Sequence, residues 1–167
     1  MKVLAIFTCY NRRELTRQSM ELLGQNKNVT FDYVIVNDGS TDGTDEMLAA
    51  MPYEIDLING DGGLFWNRGM YEAIEHAKKA HPDYEYYMLM NDDTKFVPGI
   101  FDEMLPLFAP DKVMVGAMCG DDGRVSYELA VSSTSRASST KSTVRRRRTS
   151  VLTRLTRTVR SFRMTFS

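Results

Sequence analysis

Residues 31–44 read FDYVIVNDGSTDGT. The apolar, β-branched first half predicts a buried strand over residues 31–37, and Asp38-Gly39-Ser40 predicts a turn directly after it. A second apolar run, residues 84–90, ends in the same way in Asn91-Asp92-Asp93. In an open α/β sheet, ligands bind beyond the carboxyl ends of the strands. The two acidic segments therefore predict one site at that edge, suited to a metal and a phosphorylated ligand.

Strand and helix patterns alternate outward from these two segments. Strands are predicted at residues 2–9, 31–37, 53–58, 84–90 and 112–118, with a turn at 121–123 leading into 124–127, and helices are predicted at 12–24, 42–51, 66–80 and 100–108. Strands separated by helices of this length indicate βαβ units with right-handed crossovers. The fold class predicted is α/β, a three-layer α/β/α arrangement around a mostly parallel, Rossmann-like sheet.

The composition is that of a soluble domain of ordinary size. The chain has 167 residues, of which 43% are hydrophobic and 26% are charged. The apolar start, Val3 to Phe7, is too short for a signal-peptide core and is interpreted as a first strand. Only two cysteines occur, Cys9 and Cys119, without CxxC spacing, which argues against a disulfide framework or a zinc site and favours a cytoplasmic setting.

The net charge of −1 hides a strong asymmetry along the chain. Residues 131–167 contain ten Lys and Arg, 17 Ser and Thr, and no acid, so all 22 Asp and Glu lie in the first 130 residues. We therefore divide the chain into a domain at residues 1–127 and a basic tail at residues 128–167. Three interpretations of the tail stay open: a disordered or weakly helical tail that binds anionic surfaces weakly, a cationic amphipathic helix for a membrane or nucleic acid, and a segment that is not the native continuation of the domain.

Asp38 is the first candidate binding residue. A carboxylate at a strand end can accept a hydrogen bond from a nucleobase N–H, and Gly39 lets the backbone turn away. Ser40, Thr41 and Asp42 are expected to cap the following helix. The alternative is that all of these residues serve only the turn and the cap.

Asp92 and Asp93 are the candidate metal ligands. Adjacent carboxylates at the end of a buried strand repel each other unless a cation or hydrogen-bond donors neutralise them. Hard oxygen ligands suit Mn²⁺ or Mg²⁺, which keep positions open for substrate phosphates. The alternative is a solvated Asn-Asp turn.

The glycine-rich segment at residues 59–69, NGDGGLFWNRG, is the third candidate. Its glycines allow close approach to a ligand, and the helix predicted from Trp66 points its N-terminus toward the same edge. Arg68 is placed to contact phosphate or sugar oxygens. The segment is neither a Walker loop nor a GxGxxG fingerprint. Phe65 and Trp66 are either packing residues or a platform for a sugar.

The order of these motifs resembles that of family-2-type glycosyltransferases. The similarity covers residues 2–120 and rests on Thr8-Cys9-Tyr10-Asn11-Arg12, residues 36–44, residues 62–69 and Asn91-Asp92-Asp93. It implies the nucleotide-sugar-binding half of a glycosyltransferase A-type (GT-A) fold. By this resemblance Asp93 and Asp92 occupy the DxD-like metal position, with Asn91 in place of the first carboxylate. The residues that the resemblance places in the donor site are Thr8, Tyr10, Asp38, Asn67, Arg68 and Asp92.

The chemistry implied is inverting transfer of a sugar from a nucleoside diphosphate to an acceptor hydroxyl. The family is expected to have a second half that supplies the acceptor site and a carboxylate general base, and Glu128 is the last acid in this chain. We therefore expect an incomplete enzyme and assign no base. A glycan or lipid-linked acceptor and a role in polysaccharide biosynthesis are implied by the resemblance alone.

Two other functions stay open at this point. One is a non-catalytic nucleotide-binding module, and the other is a nucleotidyltransferase-like enzyme. The latter would need a basic glycine-rich loop after the first strand, and Tyr10-Asn11-Arg12-Arg13 contains no glycine. No nucleic-acid partner is expected for the domain. The expected location is cytoplasmic, with peripheral association at the inner face of the membrane as the alternative.

Overall fold

The computed structural model describes residues 1–108 with their side chains, and the backbone strands at residues 118–119, 125–127 and 155–156. The elements in chain order are β1 (Lys2–Cys9), α1 (Arg13–Gly24), β2 (Thr30–Asn37), α2 (Thr44–Ala49), β3 (Ile55–Asn59), α3 (Phe65–Ala80), β4 (Tyr86–Leu89), α4 (Ile100–Met104), a 3₁₀ turn (Leu105–Leu107), β5 (Met118–Cys119), β6 (Val125–Tyr127) and β7 (Leu155–Thr156). The predicted alternation of strands and helices is confirmed through α4.

The main sheet has the order β3-β2-β1-β4-β7, and its first four strands are parallel. The pairing Cys9 with Asn37 and Asn37 with Asn59 aligns the carboxyl ends of three strands at one edge. From β1 the chain winds to one side through β2 and β3, and then crosses to β4 on the other side. The point where this order reverses, between β1 and β4, is where open α/β sheets form a ligand crevice.

Two layers of helices cover the sheet, as the three-layer prediction requires. Alternate residues of β1 and β2, such as Phe7 and Tyr33, pack under α1, α2 and α4. The intervening residues, such as Ile6 and Val34, pack under α3. All residues of β2 after Thr30 are buried, which fits a central strand covered on both faces.

The second helix is shorter than predicted, because residues 42–51 were expected to be helical and α2 spans Thr44–Ala49. Gly43 lies before it with a φ of 84°, a left-handed conformation that favours glycine. The Asp42 carboxylate accepts hydrogen bonds from the N–H groups of both Thr44 and Arg13. Asp42 therefore joins the first turns of α1 and α2 instead of starting α2 itself.

The later part of the chain is described only at three short strands. The predicted turn into 124–127 agrees with the antiparallel pair β5 and β6, although residues 120–124 lie outside the described residues. Most of the strand predicted at 112–118 also lies outside them. Within the tail, Leu155–Thr156 forms β7, which pairs antiparallel with β4, and the rest of the tail lies outside the described residues.

Candidate functional site

The crevice between β1 and β4 contains an ion-pair cluster of three residues. Arg12 follows β1, and its Nη1 lies 2.8 Å from Asp93 Oδ2 and 3.4 Å from Asp92 Oδ1. Burial raises the pKa of Asp92 above its ordinary value, and Asp93 raises it further, while Arg12 acts in the opposite direction. Asp92 is 7% exposed, whereas the side chains of Arg12 and Asp93 are 49% and 43% exposed. The cluster is thus anchored on a buried carboxylate and open on its solvent side.

The Asp92–Asp93 pair fits a divalent cation. Both carboxylates already bind one positively charged group, the Arg12 guanidinium. This guanidinium occupies the position at which the two carboxylates would bind a metal ion. Their oxygens are the hard ligands that Mn²⁺ and Mg²⁺ prefer. Asn91 is directed elsewhere, because its Oδ1 accepts a hydrogen bond from Trp66 Nε1 at 3.1 Å. Asp92 and Asp93 are therefore the candidate ligands, and Asn91 links them to α3.

Asp38 is 3% exposed and is bound by the start of α3. Its Oδ1 accepts hydrogen bonds from the N–H groups of Gly62 (3.0 Å) and Leu64 (3.3 Å), and its Oδ2 accepts from Leu64 (3.0 Å) and Phe65 (2.9 Å). A carboxylate has about four acceptor sites. Four contacts from three N–H groups therefore use most of the capacity of this side chain.

These bonds supply the N-terminal cap that α3 lacks locally. The N-cap residue Leu64 makes no side-chain cap bond, and Phe65 has a positive φ of 54°, which is unusual for a bulky residue. The first N–H groups of a helix have no partner within it, and a negative charge beside them is favourable. Asp38, at the end of β2, provides both a hydrogen-bond acceptor for these N–H groups and a negative charge beside them. This one carboxylate therefore fixes the point at which the glycine-rich segment becomes a helix.

At Gly60 and Gly69, near this cap, the backbone lies too close to neighbouring residues for a side chain to fit. A Cβ added at Gly60 would lie 2.5 Å from Asp38 Oδ1 and 3.0 Å from Asp38 Cα. A Cβ added at Gly69 would lie 2.6 Å from Thr8 Oγ1. Two of the glycines at residues 59–69 are thus required because residues of β1 and of the end of β2 pack closely against them. From the sequence, the glycines were predicted only to allow a ligand to approach closely.

The turn after β2 is tied to the turn after β1. The Asn11 N–H donates to Ser40 Oγ at 2.9 Å, and the Thr41 N–H donates to Asn11 Oδ1 at 2.8 Å. Ser40 also donates to Asn37 Oδ1. The expectation that Ser40 and Thr41 cap the next helix is therefore wrong. Of the three residues, only Asp42 contacts the start of α2, through the Thr44 N–H and hydroxyl, and the Thr44 hydroxyl bond lowers the pKa of Asp42.

The other predicted donor-site residues lie on the same edge in different surroundings. Thr8 is buried against Gly69, at the start of α3. Tyr10 is 54% exposed, and Asn67 is exposed in the first turn of α3. Arg68 pairs with Glu72 one turn along the same helix, at 3.1 Å, and is not joined to the Asp92–Asp93 pair. The structure thus brings Asp92 and Asp93 together around Arg12 and brings Thr8 and Asp38 to the start of α3.

Three residues of this edge, Arg12, Phe65 and Trp66, were not assigned a role from the sequence. Arg12 was not predicted to be a site residue, because a cation that follows β1 is a natural partner for acids that follow β4 only once the strand order is known. Phe65 and Trp66 are 77% and 57% exposed, so neither is a core residue of the described part.

Comparison with known proteins identifies the family. A model described as glycosyl transferase family 2 matches residues 5–166. The chain belongs to glycosyl transferase family 2. No curated protein matches its sequence closely enough to be informative.

Solved structures show that this family 2 domain has the GT-A fold. Staphylococcus aureus TarS (residues 1–349) is similar at a TM-score of 0.60 and 17% identity, over 77% of this chain and 39% of that one. The mannosyltransferase PcManGT from Pyrobaculum calidifontis, solved with GDP-Man and Mn²⁺, is similar at a TM-score of 0.55 and 18% identity, over 71% and 35%. The chain therefore spans less than two fifths of the length of either of these two solved chains.

A synthase shares the same general fold over more of its length. A 4-diphosphocytidyl-2C-methyl-D-erythritol synthase is similar at a TM-score of 0.57 and 10% identity, over 93% of this chain and 75% of that one. Identities this low show the fold alone. Among the described residues, no helix is long and apolar enough to span a bilayer.

Proposed function

We propose that the family 2 domain binds a nucleoside-diphosphate sugar together with Mn²⁺ or Mg²⁺, for inverting transfer of the sugar to an acceptor hydroxyl. The observation that carries this proposal is the convergence of Asp92 and Asp93 on one cationic group at the β1–β4 crevice. PcManGT, of similar fold, was solved with GDP-Man and Mn²⁺, and this agrees with the class of ligand proposed.

The proposed metal ligands are Asp92 and Asp93. A bound divalent ion would neutralise the negative charge that develops on a nucleoside diphosphate as it leaves. Arg12 holds the two carboxylates together. With an ion bound to them, its guanidinium would be available for the oxygens of a diphosphate. This exchange keeps the buried Asp92 paired with a cation in both states.

The remaining roles follow from position at the same edge. Thr8, near the end of β1, and Tyr10, directly after it, are proposed to line the nucleotide pocket. Asn67 and Arg68 are proposed to contact the donor from the first turn of α3. Asp38 stays the proposed nucleotide contact, and a nucleobase N–H would use the acceptor capacity that the three backbone N–H groups leave free. Its first role is thus to hold the donor-binding segment in shape.

We assign the donor half of the reaction to residues 1–108 and assign the acceptor site and general base to none of them. A general base contributes about 10²–10⁴-fold to such a reaction. Donor binding is therefore the property by which this proposal is tested, and turnover is a separate question.

The test is calorimetric titration of the whole chain with UDP, GDP and dTDP, with and without Mn²⁺. We expect one of these nucleotides to bind only with Mn²⁺, and Asp93→Ala to abolish that binding. Glu103→Gln, an exposed carboxylate on α4, is the matched control and should bind like the original chain. Failure of all three nucleotides to bind, or metal-independent binding that Asp93→Ala leaves unchanged, would contradict the proposal.

A further inference from the structure

Both histidines of the chain meet at one carboxylate. His76 Nε2 lies 2.6 Å from Asp56 Oδ2, and His81 Nε2 lies 2.9 Å from the same oxygen. One ligand atom from each of the three residues lies within 4.8 Å of the other two. The role proposed above for the Asp92–Asp93 pair leaves this cluster unexplained.

The cluster lies at the end of α3 that is remote from the Asp92–Asp93 pair. Asp56 is near the start of β3 and pairs with Val34, whose side chain packs under α3, so Asp56 faces α3 as well. His76 is in the last turns of α3, and His81 is its C-cap. Because α3 has 16 residues, about 24 Å of helix separates its two ends.

The fold holds His81 in place independently of Asp56. Its N–H donates to the Ala77 carbonyl at 2.9 Å, and its own carbonyl accepts the Tyr87 hydroxyl at 2.6 Å. The Tyr84 ring packs edge-on against the His81 ring, with centroids 5.8 Å apart. The main chain of His81 is therefore fixed by these two hydrogen bonds, and aromatic packing against Tyr84 restricts its imidazole ring.

The donor set is that of a borderline metal. Two imidazole nitrogens and one carboxylate oxygen suit zinc and similar first-row ions, whereas an oxygen-only pair such as Asp92 and Asp93 suits Mg²⁺ and Mn²⁺. Burial tends to raise the pKa of Asp56, but the hydrogen bonds from His76 and His81 outweigh it and lower the pKa. A bound metal needs the ionised carboxylate and unprotonated Nε2 atoms, so an ion would take the place of the two histidine–carboxylate hydrogen bonds.

We propose that Asp56, His76 and His81 form a three-ligand site for Zn²⁺ or a similar divalent ion. In a tetrahedral zinc site, bonds of about 2.0–2.1 Å place ligand atoms about 3.3 Å apart. The two nitrogen–oxygen distances in the cluster need to open by less than 1 Å to reach that value. The three side chains are 29–39% exposed, so an ion can enter from solvent and water can take the fourth position.

The bound ion would tie the end of α3 to the edge strand β3. Since Asp38 fixes the start of α3 beside the donor segment, the helix would then be anchored at both ends. Neither of the two cysteines, whose spacing predicted no zinc site, belongs to this cluster. The histidine pair gave little sequence signal, because His76 and His81 are five residues apart and so do not share a helix face at the usual i, i+4 spacing.

The test is metal titration of the whole chain after chelation. Zn²⁺ binding is measured by calorimetry, and Co²⁺ serves as a spectroscopic probe whose visible bands report tetrahedral coordination. We expect one equivalent to bind, with affinity lowered by more than about tenfold in His76→Gln, His81→Gln and Asp56→Asn, since even second-shell changes lower metal affinity by 10–100-fold. Glu75→Gln, whose partner is Lys78 on the same helix, is the matched control and should bind like the original chain.

Three further measurements keep the result independent of folding defects and of the proposed function. On the original chain, Zn²⁺ should shift the Nε2 nitrogen resonances of both histidines and raise the melting temperature. The Zn²⁺ affinity should be unchanged in Asp92→Asn/Asp93→Asn, so failure of donor binding does not affect this test. Zn²⁺ binding that is equally strong in Asp56→Asn, or no shift of the histidine nitrogens at saturating Zn²⁺, would overturn the proposal.

Discussion

The acidic ends of β2 and β4 resemble each other in sequence and differ in what neutralises them. Asp38 is buried, and its carboxylate is bound by backbone N–H groups of residues 62–65 that are fixed by the fold. Asp92 and Asp93 are held by the side chain of Arg12, which is half exposed. Backbone donors cannot leave without unfolding the segment, whereas a side chain can be replaced by an ion. The Asp38 carboxylate therefore stabilises the structure of the site, whereas the Asp92–Asp93 pair can exchange the Arg12 side chain for an ion.

The largest expected effect comes from removing the structural carboxylate. Asp38→Ala leaves three N–H groups at the start of α3 without their acceptor, and hydrogen bonds to a charged group contribute about 1.5–3 kcal/mol each. We expect the free energy of unfolding to fall by about 3 kcal/mol, measured by urea denaturation. Asp61→Ala removes an exposed carboxylate of the same segment and should change it by less than about 1 kcal/mol. If Asp38→Ala and Asp61→Ala lost equal free energy of unfolding, Asp38 would have no special structural role. The distinction between the acidic ends of β2 and β4 would then be lost.

The second effect tests whether close packing also fixes the start of α3. Gly69→Ala would place a Cβ 2.6 Å from Thr8 Oγ1, and overpacking of this kind typically costs about 1–3 kcal/mol. We expect a lower melting temperature and weaker Mn²⁺-dependent nucleotide binding together. Gly63→Ala faces only the flexible Asp61 side chain, at 3.1 Å, and serves as the control for stability. A stable Gly69→Ala variant with normal binding would show that the Thr8 contact does not position the segment.

The smallest effect concerns Arg12 itself. In Arg12→Gln the two carboxylates lose the guanidinium that competes with a metal, and exposed ion pairs of this kind contribute about 0.2–1 kcal/mol. We therefore expect the affinity for Mn²⁺ alone to rise by up to about fivefold, measured by calorimetry without nucleotide. Arg17→Gln, which loses pairs with Glu14 and Glu21 on α1, should leave that affinity unchanged. A weaker affinity in Arg12→Gln would mean that Arg12 helps to hold the ion and does not compete with it.

The strands and helices were predictable because their signals are local. A short stretch of sequence is enough to recognise the apolar runs at residues 2–9 and 31–37. The same holds for the periodic apolar face of α3, on which Met70, Ala73 and Ala77 are buried. The limits of α2 were less accurate, because Asp42 serves two helices at once. Its bond to Arg13 depends on a contact 29 residues away, which no local pattern contains.

The partners of the site residues were not predictable for the same reason. The bonds from Asp38 to the start of α3 span 24 to 27 residues, and those from Arg12 to Asp92 and Asp93 span 80 and 81. The sequence placed the carboxylates at the right edge, since strand ends can be read locally. What surrounds each carboxylate depends on the strand order β3-β2-β1-β4, which the sequence did not provide.

The most direct test of the exchangeable pair is an electron paramagnetic resonance titration of Mn²⁺ into the whole chain, with the nucleotide that binds best among UDP, GDP and dTDP. Asp56→Asn is included so that ions at the histidine cluster are counted separately. We predict one nucleotide-dependent Mn²⁺ in the original chain and in Asp56→Asn, and none in Asp92→Asn/Asp93→Asn at the same concentrations. Identical Mn²⁺ binding by the original chain and the Asp92→Asn/Asp93→Asn variant would contradict the account.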